Sequence, residues 1–294
     1  MNLYLDTNLW NELCDQSVDA EHLLTLLAAN NSELVLSYQV VYELAKCFLD
    51  MRGSGSQRGK ALFTYLSQFV RSNMRCVTEV MEVLADEMWA LRQARAVHAF
   101  LSPQGHSTLV SNVQALADGE FDERAKAFVE ERAALAPRIR SGPINQLERR
   151  PDVKQRLKDI SAQELGAWLH AETDTDRGAA LLADHVRRQF PEASPLDAGE
   201  WALGLLASPA CRLSRALVRA DLYYNWRCAN RGSNPKDLFD DMYHVLNAIY
   251  CDVYATKERG HAEYAGLLLT TNTKVAIYDG RTPVGGWIGS VAKA

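Results

Sequence analysis

Two short apolar runs stand at opposite ends of this chain, Asn2-Leu-Tyr-Leu-Asp6 and Asp252-Val-Tyr-Ala-Thr256, each leading into an acidic turn. Runs of this length and apolarity read as buried strands. After the first comes a helix-like stretch from about 8 to 29, interrupted or kinked near 15–17, then a turn at Asn30-Asn31-Ser32 and a second strand-like run, Glu33-Leu-Val-Leu-Ser37. The second is preceded by a helix-like stretch over about 236–249. It is followed by another over about 260–268 and by Lys274-Val-Ala-Ile-Tyr278. Strand alternating with helix at both ends predicts one parallel α/β sheet whose halves lie far apart in sequence.

Between these halves the periodicity is helical. Amphipathic runs cover about 60–71, 78–99, 121–135, 161–170, 176–190 and 197–229, divided by Pro103, Pro137, Pro143, Pro151, Pro191, Pro195 and Pro209. Met74 to Thr78 fits a strand as well as a helix. Residues 52–59, rich in glycine and serine and lacking any apolar side chain, read as a flexible linker. The expected organisation is a discontinuous α/β domain, 1–59 with 232–294, carrying a mainly helical insertion over 60–231.

Composition limits the function. The formal net charge of −5 argues against coating nucleic acid through bulk charge, and 47% hydrophobic residues in a 294-residue chain supply ample core. Six cysteines are scattered without a metal-binding or disulfide pattern, which predicts free thiols and a cytoplasmic protein. No run approaches the roughly 20 apolar residues of a membrane span, and no leader pattern follows Met1, so no membrane partner is expected.

The acids carry the functional argument. In open α/β sheets the working crevice lies beyond the carboxyl ends of the strands. Asp6 ends the first strand, Glu43 lies on the helix after the second, Asp241 near the start of the helix before Asp252, and Glu258 just past the strand that Asp252 begins. Converging carboxylates repel, so such a cluster implies a cation or raised pKa values. Mg²⁺ or Mn²⁺ suits oxygen ligands, and a metal-bound water beside a phosphate is the chemistry of phosphodiester hydrolysis.

Leu3-Tyr-Leu-Asp6-Thr7-Asn8 resembles the opening strand and acidic turn of PIN-like nucleases. Val40-Val-Tyr-Glu43-Leu44 resembles that family's acid-bearing helix, and Asp240-Asp-Met-Tyr-His244 with Tyr250 to Glu258 resembles its C-terminal helix and strand. The likeness covers about 1–50 and 234–280. It implies a PIN-like parallel sheet with flanking helices and a metal-dependent endonuclease that prefers RNA, with single-stranded or flap DNA as the other substrate and a toxin or defence role as one setting. It also implies a site of Asp6, Glu43, Asp241 and Glu258, with Thr7 and Asn8 as polar helpers. Where the family often places an aspartate directly after the strand's Thr, this chain has Lys257 and Glu258, so Asp252 stays a rival fourth acid and metal ligand.

Each residue also has a plainer role. Asp6 suits a helix cap, Glu43 a salt bridge to Lys46 or an arginine, and Asp240 is a near twin of Asp241. His244, three residues past Asp241, faces either the crevice or a structural partner, and the six tryptophans read as core. Arg149, Arg150 and Lys154 form one basic stretch with Arg138, Arg140, Arg156 and Lys158. Arg212, Arg215 and Arg219 lie on one helical face. Both groups suit a phosphate track or a solvated surface, and the long helices suit self-association or a protein partner. A non-catalytic binding protein with a degenerate acidic site is the rival from another class. A phosphatase-like hydrolase is a second rival, and the lack of a DxD arrangement at Asp6-Thr7-Asn8 counts against its aspartyl-nucleophile form.

Overall fold

The structure, a computed structural model, describes residues 1–49, 55–70, 74–121, 123, 125–127, 129–130, 150–231, 238–269 and 272–293. Five strands, β1 (Asn2–Leu5), β2 (Glu33–Ser37), β3 (Arg75–Val77), β4 (Val253–Thr256) and β5 (Lys274–Ile277), form one all-parallel sheet in the order β3-β2-β1-β4-β5. β1 and β4 pair in the middle, with Leu3 opposite Val253 and Leu5 opposite Ala255. Both strands are buried on both faces, which is why their sequences are near-continuous apolar runs with no polar alternation.

The chain order reverses between β1 and β4. The first three strands build outward on one side of the sheet, and the chain returns after its helical stretch to build the other side. This switch point is where parallel sheets open a crevice at their carboxyl ends.

β1 runs into α1 (Thr7–Asp15), and α2 (Ala20–Ala29) follows the break that the sequence pattern placed near 15–17. Asp6 caps α1 by accepting from Leu9 N at 3.1 Å, and Asp19 caps α2 by accepting from His22 N at 2.8 Å. β2 leads into α3 (Tyr38–Ala45), with Ser37 Oγ accepting from Val40 N at 3.3 Å and a short 3₁₀ turn over Lys46–Leu49 closing it.

Two boundaries differ from the sequence expectation. Residues 52–54 of the glycine-serine stretch lie outside the described residues, and from Gly55 the chain is already helical, α4 (Gly55–Val70). Gly59 meets a packing need: a Cβ there would stand 2.8 Å from the Phe48 ring, which stacks on Phe121 with centroids 5.0 Å apart. The sheet also extends past residue 59, because Arg75–Val77 forms β3, paired with Val35 to Ser37 of β2. The run at 74–78 is thus a strand, and the α/β part reaches into the range assigned to the insertion.

Further helices are α5 (Val80–Gln93), α6 (Pro103–Asp118), α7 (Pro151–Lys158), α8 (Leu165–Thr173), α9 (Asp176–Gln189), α10 (Pro195–Ala207), α11 (Arg212–Arg231), α12 (Leu238–Asn247), α13 (Arg259–Leu268) and α14 (Val284–Val291). Pro103 and Pro195, read as breakers, instead open helices behind the caps Ser102 and Ser194, since a first-turn proline has no N–H to waste. The 197–229 run is two helices, α10 and α11. α11 packs against α5, α7, α8, α9 and α10 and also against α12 and α13, which flank the crevice.

Of the tryptophans, Trp10 is fully buried, but Trp89 and Trp201 are exposed rather than core. None of the six cysteines is in a disulfide, and Cys76, Cys211, Cys228 and Cys251 are buried. Among the described residues no helix is long and apolar enough to cross a membrane.

Candidate active site

Asp6 is held where β1 turns into α1. Its backbone N–H donates to Ala255 O at 3.0 Å, which ties the end of β1 to the end of β4. Its side chain, 1% exposed, accepts from Leu9 N and from the hydroxyl of Thr256, the last residue of β4. Thr256 Oγ1 in turn accepts from Glu258 N at 3.0 Å, which fixes the turn that presents Glu258. Asn8 donates its side-chain amide to Glu258 Oε1.

His261 lies one helical turn past Glu258, on α13. Its Nε2 stands 3.1 Å from Asp241 Oδ1 and 3.1 Å from Glu258 Oε2, and its Nδ1 stands 3.6 Å from Asp6 Oδ2. Burial alone would lower the pKa of this ring, but the carboxylates of Asp241, Asp6 and Glu258 more than reverse that and raise it to about 10. An imidazolium therefore sits among three acids that come from β1, α12 and the turn after β4.

Glu43, on α3, belongs to a neighbouring network. Its Oε2 stands 2.9 Å from His244 Nε2, and its Oε1 accepts from Gln39 Nε2 at 3.0 Å. Burial would raise its pKa, but the charge of His244 and hydrogen bonds from His244, Thr7 and Gln39 hold it well below the usual carboxylate range. His244, fully buried, has its pKa pulled down by burial and pushed up further by Glu43, for a net rise. The network continues inward: His244 Nδ1 meets Tyr4 Oη at 2.8 Å, Tyr4 Oη meets Ser37 Oγ at 2.7 Å, and Thr7 Oγ1 meets His244 Nε2 at 3.2 Å.

These residues line one open pocket of about 570 Å³. Asp6, Thr7, Asn8, Glu43, Asp241, His244 and Glu258 all face it, so the structure brings together the four acids and three helpers singled out from sequence. Asp252 does not belong with them. It precedes β4, at the amino end of the sheet, where its carboxylate accepts from Asn2 N at 2.6 Å. A residue that begins a parallel strand is carried to the end opposite the crevice.

Among the described residues, no member of either basic group from the sequence lines the pocket. Arg138, Arg140 and Arg149 lie outside the described residues, while exposed Arg150 stands 4.0 Å from Asp152, and Lys154 lies on α7. On α11 the three arginines are spent inside the fold: Arg212 lies over the Tyr250 ring, Arg215 pairs with Asp174 at 2.5 Å, and Arg219 is buried against His170 at 2.9 Å. Lys46 pairs with Asp240 at 2.9 Å rather than with Glu43.

Sequence reasoning passed over His261, although its position one turn after Glu258 on a helix was a readable signal. It also passed over Tyr223, Arg227 and Tyr264, which wall the pocket from α11 and α13.

The donor chemistry of Asp6, Asp241 and Glu258, three carboxylates turned on one centre, suits a hard divalent cation. As placed, that centre holds the His261 ring, and among the described residues no group of three or more His, Cys, Asp and Glu side chains has the arrangement of a metal site. No protein family, curated protein or solved structure matches this chain.

Proposed function

We propose that this chain is a metal-dependent nuclease of PIN-like type that hydrolyses phosphodiester bonds, RNA ahead of single-stranded or flap DNA, in the cytoplasm. One observation carries the reading: Asp6, Glu43, Asp241 and Glu258, spread over both ends of the sequence, meet in one pocket at the carboxyl ends of β1, β2 and β4. An open cleft lined by so many acids has little use for an anionic substrate without a cation. Asp6, Asp241 and Glu258 would hold Mg²⁺ or Mn²⁺. Such an ion, when bound, supplies an acidified water and charge stabilisation for the leaving oxygen.

The chain's own residues set the geometry. Thr256 and Leu9 N fix the Asp6 carboxylate, Asn8 fixes Glu258, and the pairing of His244 with Glu43 holds α12 against α3 beside the pocket. His261 balances the charge of the three acids. The preference for RNA and the toxin or defence setting rest on the family resemblance alone.

One observation favours a second reading, a non-catalytic binding protein: every acid of the cluster already has a histidine or amide partner. Cleavage of labelled single-stranded RNA and DNA with Mg²⁺, Mn²⁺ or EDTA separates the two, with Asp6→Asn and Asp241→Asn alongside the wild type. A nuclease gives metal-dependent cutting that falls at least about a hundredfold in both variants. Wild-type protein that cuts nothing in either metal, or variants that cut as well as it does, would leave the binding reading.

A further inference from the structure

The pocket's positive charges are almost all committed. His261 faces three carboxylates, His244 is paired with Glu43, and Lys46 is paired with Asp240. Arg227 differs. It lines the same pocket from α11, no hydrogen bond or ion pair engages it among the described residues, and its Nε is buried without a partner. Tyr223, one turn earlier on α11, and Tyr264, on α13, close the wall around it, their rings 5.9 Å apart. Arg227 as a whole is half-buried, so its terminal nitrogens, equally without a partner among the described residues, are the donors open to a ligand oxyanion. The planar fork of arginine matches a phosphate better than a lysine ammonium does.

Resting on the nuclease reading, we propose that Arg227 binds a backbone phosphate of the substrate strand and thereby sets its position across the acid cluster. The helical stretch then supplies half of the active site: the acids come from the α/β part, and the phosphate clamp comes from α11. This explains how a chain with a net charge of −5 and an acidic pocket engages a polyanion. One well-placed uncommitted arginine does locally what a basic surface does elsewhere.

The test compares wild type, Arg227→Gln and Arg227→Lys. Binding of fluorescein-labelled oligouridylate and oligothymidylate is read by anisotropy with Ca²⁺ in place of Mg²⁺ across a salt series, and kcat and KM for cleavage are read in Mg²⁺. Arg227→Gln is expected to weaken binding about tenfold and to flatten the plot of log K against log salt by about 0.7, the share of one phosphate on a single strand. KM should rise while kcat changes little. Arg227→Lys keeps the charge and loses the fork, so KM rises with the salt slope unchanged, and this variant carries the test if Arg227→Gln fails to fold. An active wild type with both variants matching it in KM, affinity and slope overturns this inference and leaves the nuclease reading standing. A wild type that binds but does not cut, with Arg227→Gln weaker, keeps the phosphate clamp and removes the nuclease. A wild type that neither binds nor cuts overturns both.

Discussion

His261 Nε2 lies 3.1 Å from Asp241 Oδ1, joining α13 to α12 across the end of β4. The ring is nearly buried and, among the described residues, is the cation that stands between three carboxylates that would otherwise repel. His261→Asn removes the charge and leaves them uncompensated, a loss of about 2–3 kcal/mol. Melting in EDTA should show the variant well below wild type. Added Mg²⁺ or Mn²⁺ should then raise its Tm more than that of wild type, because a cation binding only the folded state stabilises it by mass action. Equal melting temperatures in EDTA would mean that His261 does not hold the cluster together.

Tyr4 reaches from the middle of β1 to Ser37 and His244, and its hydroxyl is fully buried. Tyr4→Phe keeps the ring's packing but strands a ring nitrogen of His244 inside the protein, at a cost of about 1–3 kcal/mol. Since His244 in turn positions Glu43, cleavage should fall along with stability. Urea unfolding and a cleavage assay on one preparation check both, and a variant that loses neither would show that water replaces the hydroxyl.

The strands at the two ends were legible because a strand buried on both faces must be apolar throughout, and β1 and β4 are. The acids that converge were legible for a related reason: Asp6 and Glu258 follow strand ends, and parallel strands carry all their carboxyl ends to one edge. Asp252 reads as the residue that begins its strand, which already points to the opposite end of the sheet, and it stands as a rival only because Lys257 and Glu258 depart from the family's pattern. The fate of the arginines was not legible. Helical spacing places Arg212, Arg215 and Arg219 on one face, but what that face meets is decided by α8 and Tyr250, remote in sequence. Arg227 has the same spacing from Tyr223 as many surface pairs, and its unpartnered state emerges only from packing. His244 drew attention to Asp241, yet its partners are Glu43, Thr7 and Tyr4, while Asp241 meets His261.

Asp86, near the middle of α5, takes Arg95 in a fork, Nη1 to Oδ2 at 3.1 Å and Nη2 to Oδ1 at 2.6 Å, and also accepts from His98 N. These bonds pin the loop that follows Ala94, a left-handed residue with φ 50°, and lead the chain to Phe100, which bridges to Val77 on β3. Burial would raise the Asp86 pKa, but the bonds from Arg95 and His98 outweigh it and lower the value. A lowered folded-state pKa gives stability that is present above the unfolded carboxyl value of about 3.9 and is lost as pH falls through the folded value. Asp86→Asn should therefore melt below wild type at pH 7, with the gap closing as pH drops below about 4. A gap that stays constant down to pH 2 would show that the loop is held by packing instead.

Glu87, the next residue on α5, is completely buried and anchors the start of α11. It accepts from Leu213 N at 2.7 Å, Ser214 N at 2.9 Å, the Ser214 hydroxyl and the Tyr250 hydroxyl, so a carboxylate caps the amino end of the helix that carries Tyr223 and Arg227 to the pocket. Burial raises its pKa despite the bonds from Ser214, Tyr250 and Leu213, so the charge itself is a cost that those four donors only partly offset. Glu87→Ala leaves the donors facing an empty space and should cost about 3–5 kcal/mol. Glu87→Gln keeps one acceptor and removes the buried charge, so it should cost much less. Hydrogen exchange at the amides of 213–214 is the direct readout and should speed most in Glu87→Ala. In that variant KM for a cleaved strand should also rise, because a frayed α11 no longer holds Arg227 over the acids. Unchanged exchange in Glu87→Ala would show that α11 is seated by its apolar contacts alone and that the carboxylate only satisfies its neighbours.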